Sequence, residues 1–196
     1  MKIFAVRDNM NTSSRNNLTS WFFYADSALS NAGKPFFIPE SGDSISVSLG
    51  IAIKISRLGK TIEERFSNRY YRELAPIIHF TDLTLYEKLE SNGLTPTPAV
   101  SFDKSVFYGE FKPYEDILSG KASFQLFING LEKDYWNIDS LSKNISSLIK
   151  EISVMNTLKI GDLLIPAETE ALHHVYEGDL VEIRYNGDTV LKIKIK

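Results

Sequence analysis

Ile45-Ser46-Val47-Ser48-Leu49-Gly50-Ile51-Ala52-Ile53-Lys54-Ile55 decides the fold of this chain. From Ser46 to Ile55 its residues alternate. Ile51, Ile53 and Ile55 fall on one face, and Ala52, Lys54 and Ser56 on the other. A period of two marks a strand, because successive side chains in an extended chain point to opposite faces. Leu58-Gly59-Lys60 then turns the chain.

Working outward, more strands appear. Ile3 to Val6 and Trp21 to Tyr24 are short apolar runs. Asn9 to Ser20 is polar and aperiodic, which predicts a loop. Lys34-Pro35-Phe36-Phe37-Ile38-Pro39 is extended between prolines. Leu163-Leu164-Ile165 and Leu180-Val181-Glu182-Ile183 each follow a Gly-Asp pair. Asn186-Gly187 tolerates positive φ at both positions and predicts a hairpin into Leu191, Ile193 and Ile195. Lys192, Lys194 and Lys196 alternate with them and require solvent. Two helices are predicted. One runs through Leu85 and Leu89 to Asn92-Gly93. The other carries Ile138, Leu141, Ile145, Leu148, Ile149 and Ile152, with Asn137 or Asp139 as cap. The class is mixed α+β, strand-rich with few helices, in a single domain over 1–196.

The 196 residues are 43% hydrophobic and 24% charged, which is globular composition. A net charge of −3 with no basic block argues against a nucleic-acid partner. The absence of cysteine removes disulfides and thiolate chemistry. No stretch approaches the roughly 20 apolar residues of a membrane helix. Neither a signal peptide nor a membrane span is expected, and the expected compartment is cytoplasmic.

Several segments together resemble the short form of the fumarylacetoacetate hydrolase family. They are Asp26-Ser27-Ala28-Leu29 with Lys34 to Pro39; Lys54 to Lys60 with Ile62 to Phe66 and Arg69-Tyr70-Tyr71; Phe80-Thr81; Phe102-Asp103; and Thr157 to Leu163. The resemblance implies a β-sandwich roll, usually a homodimer. It also implies a Mg²⁺, Mn²⁺ or Ca²⁺ ion held by three carboxylates, acting on 2-oxo or β-dicarbonyl acids as a Lewis acid.

Set against the family pattern, this chain departs at those positions. The Glu-x-Glu pair falls on Ser48 and Gly50, and the preceding histidine on Ser46. The metal aspartate falls on Thr84, its neighbouring arginine on Leu83, and the lysine on Val100. The loop His and Glu fall near Ser13 and Asn16. No acidic residue lies between Asp43 and Glu63. The expectation is therefore a degenerate site with no metal and no catalytic residue. His79, Asp82, Asp103 and Glu168 remain as candidate ligand contacts.

Structural roles compete for each of these. Asp82 suits a turn or helix cap, and Asp103 a turn. His79 suits a satisfied buried histidine as well as a general base. His173 and His174 are adjacent on an expected strand and so point apart. Glu168 and Glu170 share a side if their segment is extended, where either would join His173 or His174 in a rebuilt metal site; the competing reading is a solvated loop. Phe66, Tyr70 and Tyr71 suit a core, a pocket wall or a dimer contact. Three readings follow. One is a non-catalytic scaffold binding a small molecule or a protein. The second is a rewired metal-free enzyme using His79, His173 or His174. The third is an active family hydrolase, isomerase or decarboxylase.

Overall fold

The computed structural model describes residues 1–6, 21–40, 42, 44–119, 123–137, 141–169 and 171–196. The expected loop over 9–20, with Ser13 and Asn16, lies outside them, as do Asp139 and Glu170.

The strands, in chain order, begin with β1 (Ile3–Val6), β2 (Trp21–Tyr24), β3 (Leu29–Asn31), β4 (Ile45–Ile55) and β5 (Tyr71–Asp82). Helices α1 (Leu83–Ser91) and α2 (Thr97–Val100) follow, then β6 (Val106–Tyr108), β7 (Lys112–Pro113) and α3 (Tyr114–Ser119). The hairpin β8 (Ser123–Ile128) and β9 (Leu131–Asn137) leads into α4 (Leu141–Met155). The chain closes with β10 (Leu163–Glu168), β11 (His173–His174), β12 (Leu180–Tyr185) and β13 (Asp188–Lys194).

These strands form two sheets. The larger runs β2-β1-β10-β4-β5-β6-β3, with β11 also paired to β4 and β7 to β5. The smaller runs β13-β12-β8-β9. The long central pair β4–β5 sets the register for everything else, matching Ser46 with Thr81, Ser48 with His79 and Gly50 with Ile77. Alternation then sorts the side chains. Val47, Leu49, Ile51 and Ile53, with Ile78 and Phe80, enter one apolar cluster. That cluster also holds Leu126, Val181 and Ile193 of the smaller sheet and Ile145, Ile149 and Ile152 of α4. The opposite face meets a second cluster with Ala52, Ile77, Tyr86, Ala99 and Val100. The serines of β4 lie on this second face, under α1 and α2.

The strand-rich class with few helices is what the structure shows. Asn186 and Gly187 adopt φ of 54° and 88° at the β12–β13 turn, as the hairpin signal requires. Three details differ from the sequence reading. Asn137 ends strand β9 and so does not cap α4. The segment at Glu168 takes the extended alternative and not the solvated loop, because Ala167 and Glu168 pair with Ile51 and Gly50 of β4. Helices α2 and α3 were not expected, since four and six residues are too few to show a helical period.

Asp162 ties the start of β1 to the turn before β10. Its carboxylate accepts from Lys2 N at 2.9 Å and Lys159 N at 2.8 Å, and pairs with Lys2 Nζ at 2.6 Å. Burial alone would raise its pKa, but these bonds and the Lys2 charge outweigh burial and hold it below the usual carboxylate value. A depressed carboxyl contributes stability above its unfolded pKa and loses it as pH falls through the folded one. Asp162→Asn should therefore cost about 1–3 kcal/mol at neutral pH. The gap from wild type should close in urea melts on the acid side of the normal carboxylate range.

Among the described residues no helix is long and apolar enough to cross a membrane.

Candidate functional site

The second face of the central sheet carries a line of polar groups where apolar ones are the rule. Ser46, Ser48, His79 and Thr81 are all fully buried. A buried polar group without a bond costs about 1–3 kcal/mol, so the partners of these groups matter.

Ser48 Oγ donates to Glu168 Oε2 at 3.0 Å. His79 Nδ1 lies 2.9 Å from both Glu168 oxygens. His79 Nε2 lies 2.7 Å from the Val100 carbonyl. That carbonyl can only accept, so Nε2 carries a proton. Nδ1 faces a carboxylate, so one further proton is held between His79 and Glu168. The imidazole is wholly enclosed, and the Glu168 side chain is 6% exposed. The Tyr24 ring packs 5.3 Å from the imidazole, centroid to centroid.

The elements explain this convergence. Glu168 ends β10 and reaches across β4 at Gly50. A Cβ on Gly50 would meet Glu168 Cγ at 2.9 Å and Ile77 Cγ1 at 3.0 Å. Glycine thus gives the glutamate room to lie along the strand toward Ser48 and His79. Gly50 is part of the site through the side chain it lacks. Val100 contributes its backbone carbonyl, while its side chain packs in the second cluster.

A second polar group lies further along the same face. His174 pairs with Ser46 across the β11–β4 ladder. Its Nδ1 is 3.2 Å from Ser44 Oγ and 3.3 Å from Ser46 Oγ. His173 points away, toward Asp134 of β9 at 3.5 Å. The two histidines diverge as strand geometry requires.

Other expected site residues are not brought in. Thr84 is exposed on α1 and Leu83 half-buried at its start. The strand ends at Asp82, so position 84 follows helical rather than extended geometry. The β5 residues beside the serines are His79 and Thr81. Asp82 accepts from Leu85 N at 3.0 Å as the cap of α1. Asp103 is exposed in the turn before β6. Burial first, and then Tyr114 edge-on to its ring, push the Tyr71 hydroxyl well above the usual tyrosine value. Tyr70 packs on the core over Gly59, and Phe66 lies under Arg65 and Arg69. Ser44 and Tyr24 were not foreseen. A serine outside a strand and a tyrosine in an apolar run carry no local signal.

A divalent cation of the implied kind asks for about six or more oxygen ligands, several of them carboxylates. Among the described residues, Ser48 has beside it one carboxylate, to which its hydroxyl donates, and an imidazole with both nitrogens engaged. Among the described residues no three His, Asp or Glu side chains converge. Among the described residues the donor set does not fit the ion.

No family model matches the chain. It is 24% identical over 176 residues to the mitochondrial oxaloacetate tautomerase of Mus musculus, across 89% of this chain and 80% of that one. Among solved structures it resembles a fumarylpyruvate hydrolase from Pseudomonas aeruginosa in complex with Mn²⁺ and pyruvate. That match has a TM-score of 0.87, 18% identity, and covers all of this chain and 89% of the other. A structure from Yersinia pestis described as of the fumarylacetoacetate hydrolase family matches with a TM-score of 0.87 and 23% identity. It covers 100% and 92% of the two chains. Sequence likeness along nine-tenths of the chain and a shared fold along all of it agree with the ordered framework segments: the chain has the fold of these proteins and resembles the fumarylacetoacetate hydrolase family.

Proposed function

We propose that this protein acts on small 2-oxo or β-dicarbonyl acids as a metal-free proton-transfer enzyme, with Glu168 as the base. The observation that carries the proposal is the Ser48–Glu168–His79 array in the middle of the central sheet. The substrate class is supported by the relatives, which include an oxaloacetate tautomerase and a fumarylpyruvate hydrolase that holds pyruvate.

Keto–enol exchange needs only a positioned acid and base. Glu168 takes a proton from the carbon beside the ketone. The C–H bond breaks, an O–H bond forms on the carboxyl group, and the electron pair moves to the carbonyl oxygen. Return of that proton to the oxygen completes the enol, and no other reactant is consumed. His79 does not touch the substrate. It is a positioning residue that orients Glu168 and balances its charge, anchored from behind by the Val100 carbonyl.

A second reading has its own support. Glu168 and His79 satisfy one another inside the protein, as a structural pair does. On that reading the protein is a non-catalytic scaffold that binds a small ligand or a protein.

The test follows oxaloacetate keto–enol exchange by the ultraviolet absorbance of the enol, with chelator and separately with added Mn²⁺. The expected result is acceleration by chelator-treated protein. Glu168→Gln should lower it about 10²–10⁴-fold, the range of general acid–base catalysis. A rate no faster than buffer would establish the second reading, and a rate that appears only with Mn²⁺ would overturn the metal-free assignment.

A further inference from the structure

Proton transfer at Glu168 leaves one task unassigned, namely recognition of the acid group of the substrate. The residue that meets its chemistry pairs with Ser46, two positions from Ser48 along β4. His174 is exposed, on the two-residue strand β11. Its ring is fixed from one side, because Nδ1 faces the hydroxyls of Ser44 and Ser46. Among the described residues nothing bonds to Nε2, which is left for solvent or a ligand. Both serines belong to the β4 end of the sheet, and Ser46 is wholly buried, so the ring is held against a rigid element.

Spacing makes the assignment specific. Ser46 holds His174 and Ser48 holds Glu168. The two serines are two residues apart on one strand, roughly 7 Å. A 2-oxo acid places its carboxylate carbon two carbon–carbon bonds from the carbon that loses a proton, roughly 2.5 Å. With a hydrogen bond of about 2.8 Å at the carboxylate and a similar contact at the carbon, the reach of such a substrate is of the same order as the serine spacing. A substrate lying along β4 would reach both groups at once.

We propose that His174, held by Ser44 and Ser46, is the carboxylate-recognition group of this site and selects 2-oxo acids over their uncharged amides. The inference rests on the reading of the Ser48–Glu168–His79 array as a 2-oxo acid site, but it does not need turnover.

The imidazole ¹H–¹⁵N signals of wild-type protein, titrated with pyruvate and in parallel with pyruvamide, test it directly. Pyruvate should shift the His174 signals saturably, and pyruvamide should leave them unmoved. His174→Ala should weaken pyruvate binding tenfold or more, and His174→Gln, which keeps a donor, should weaken it less. Glu168→Gln should still bind pyruvate. Absence of any pyruvate-dependent shift at His174, or equal binding of pyruvate and pyruvamide, overturns the proposal. The two readings fail separately. Saturable pyruvate binding at His174 without oxaloacetate turnover removes the proton-transfer function and keeps this site. Turnover whose KM is unchanged in both His174 variants removes this site and keeps the function.

Discussion

Glu168→Ala is expected to destabilise the protein by about 3–5 kcal/mol, the cost of breaking a buried ion pair from one side. His79 is enclosed, and its Nε2 is committed to the Val100 carbonyl. Removing the carboxylate leaves two outcomes for Nδ1, and both are costly. If the proton stays, a cation is buried without its counter-charge. If it leaves, an acceptor is buried with its former partner gone. Ser48 loses the acceptor of its hydroxyl at the same time. Glu168→Gln should cost far less, about 1 kcal/mol, since its amide N–H can donate to Nδ1 of a neutral imidazole while its oxygen still accepts from Ser48. It is therefore the variant for separating chemistry from folding. His79→Leu should also be costly, because it strands the carboxylate. The double variant His79→Leu/Glu168→Leu should be less unstable than the sum of the two single leucine variants by more than about 1 kcal/mol, as for interacting neighbours. Denaturant midpoints at unchanged slope measure all of these. Strict additivity would mean that the pair does not function as a unit.

The parts of the molecule legible in the sequence are those governed by local periodicity. The alternation of β4 placed its isoleucines on one face, and Asn186-Gly187 announced the last hairpin, because both signals depend on neighbours a few residues apart. The helix through Leu85 and Leu89 was legible for the same reason. The site was legible only in part. The serines and glycine of β4 were singled out by what they replace in the family pattern, and the structure places all three in one row. Their partner, Glu168, stands 120 residues beyond Ser48. Nothing local says that β10 will pair antiparallel to β4 with Glu168 beside Gly50. The misplacement of Thr84 has a different origin. Residues 81–84 can be read as one extended run, but Asp82 caps a helix there, and one change of period rotates every later side chain off the strand face. His173 and His174 were correctly read as divergent, yet only the sheet register shows that His174 is the one that meets Ser46.

Phe36→Ala is expected to cost about 3–5 kcal/mol, the range for deleting an enclosed phenylalanine. Phe36 is 1% exposed. Its ring stacks on Phe80 of β5 with centroids 3.7 Å apart, and Phe107 of β6 meets it edge-on. The backbone of the same residue is bonded to the end of the chain. Phe36 N donates to Lys194 O at 3.0 Å, Lys196 N donates to Phe36 O at 2.8 Å, and Ile38 N donates to Lys196 O at 2.8 Å. One residue thus joins the last strand, which belongs to the smaller sheet, to the core of the larger. Losing the ring opens a cavity against Phe80 and loosens the anchor of that strand, so the effect should have a direction. Amide exchange should accelerate at Phe36, Ile38 and Lys196 well before it does at Leu49, deep in β4. The adjacent Phe37 is the control. It is 58% exposed, so Phe37→Ala should stay within about 0.5 kcal/mol of wild type. Equal losses for the two variants would show that the segment from Lys34 to Pro39 is held by its backbone bonds alone, with the stacked ring contributing little to the join between the sheets.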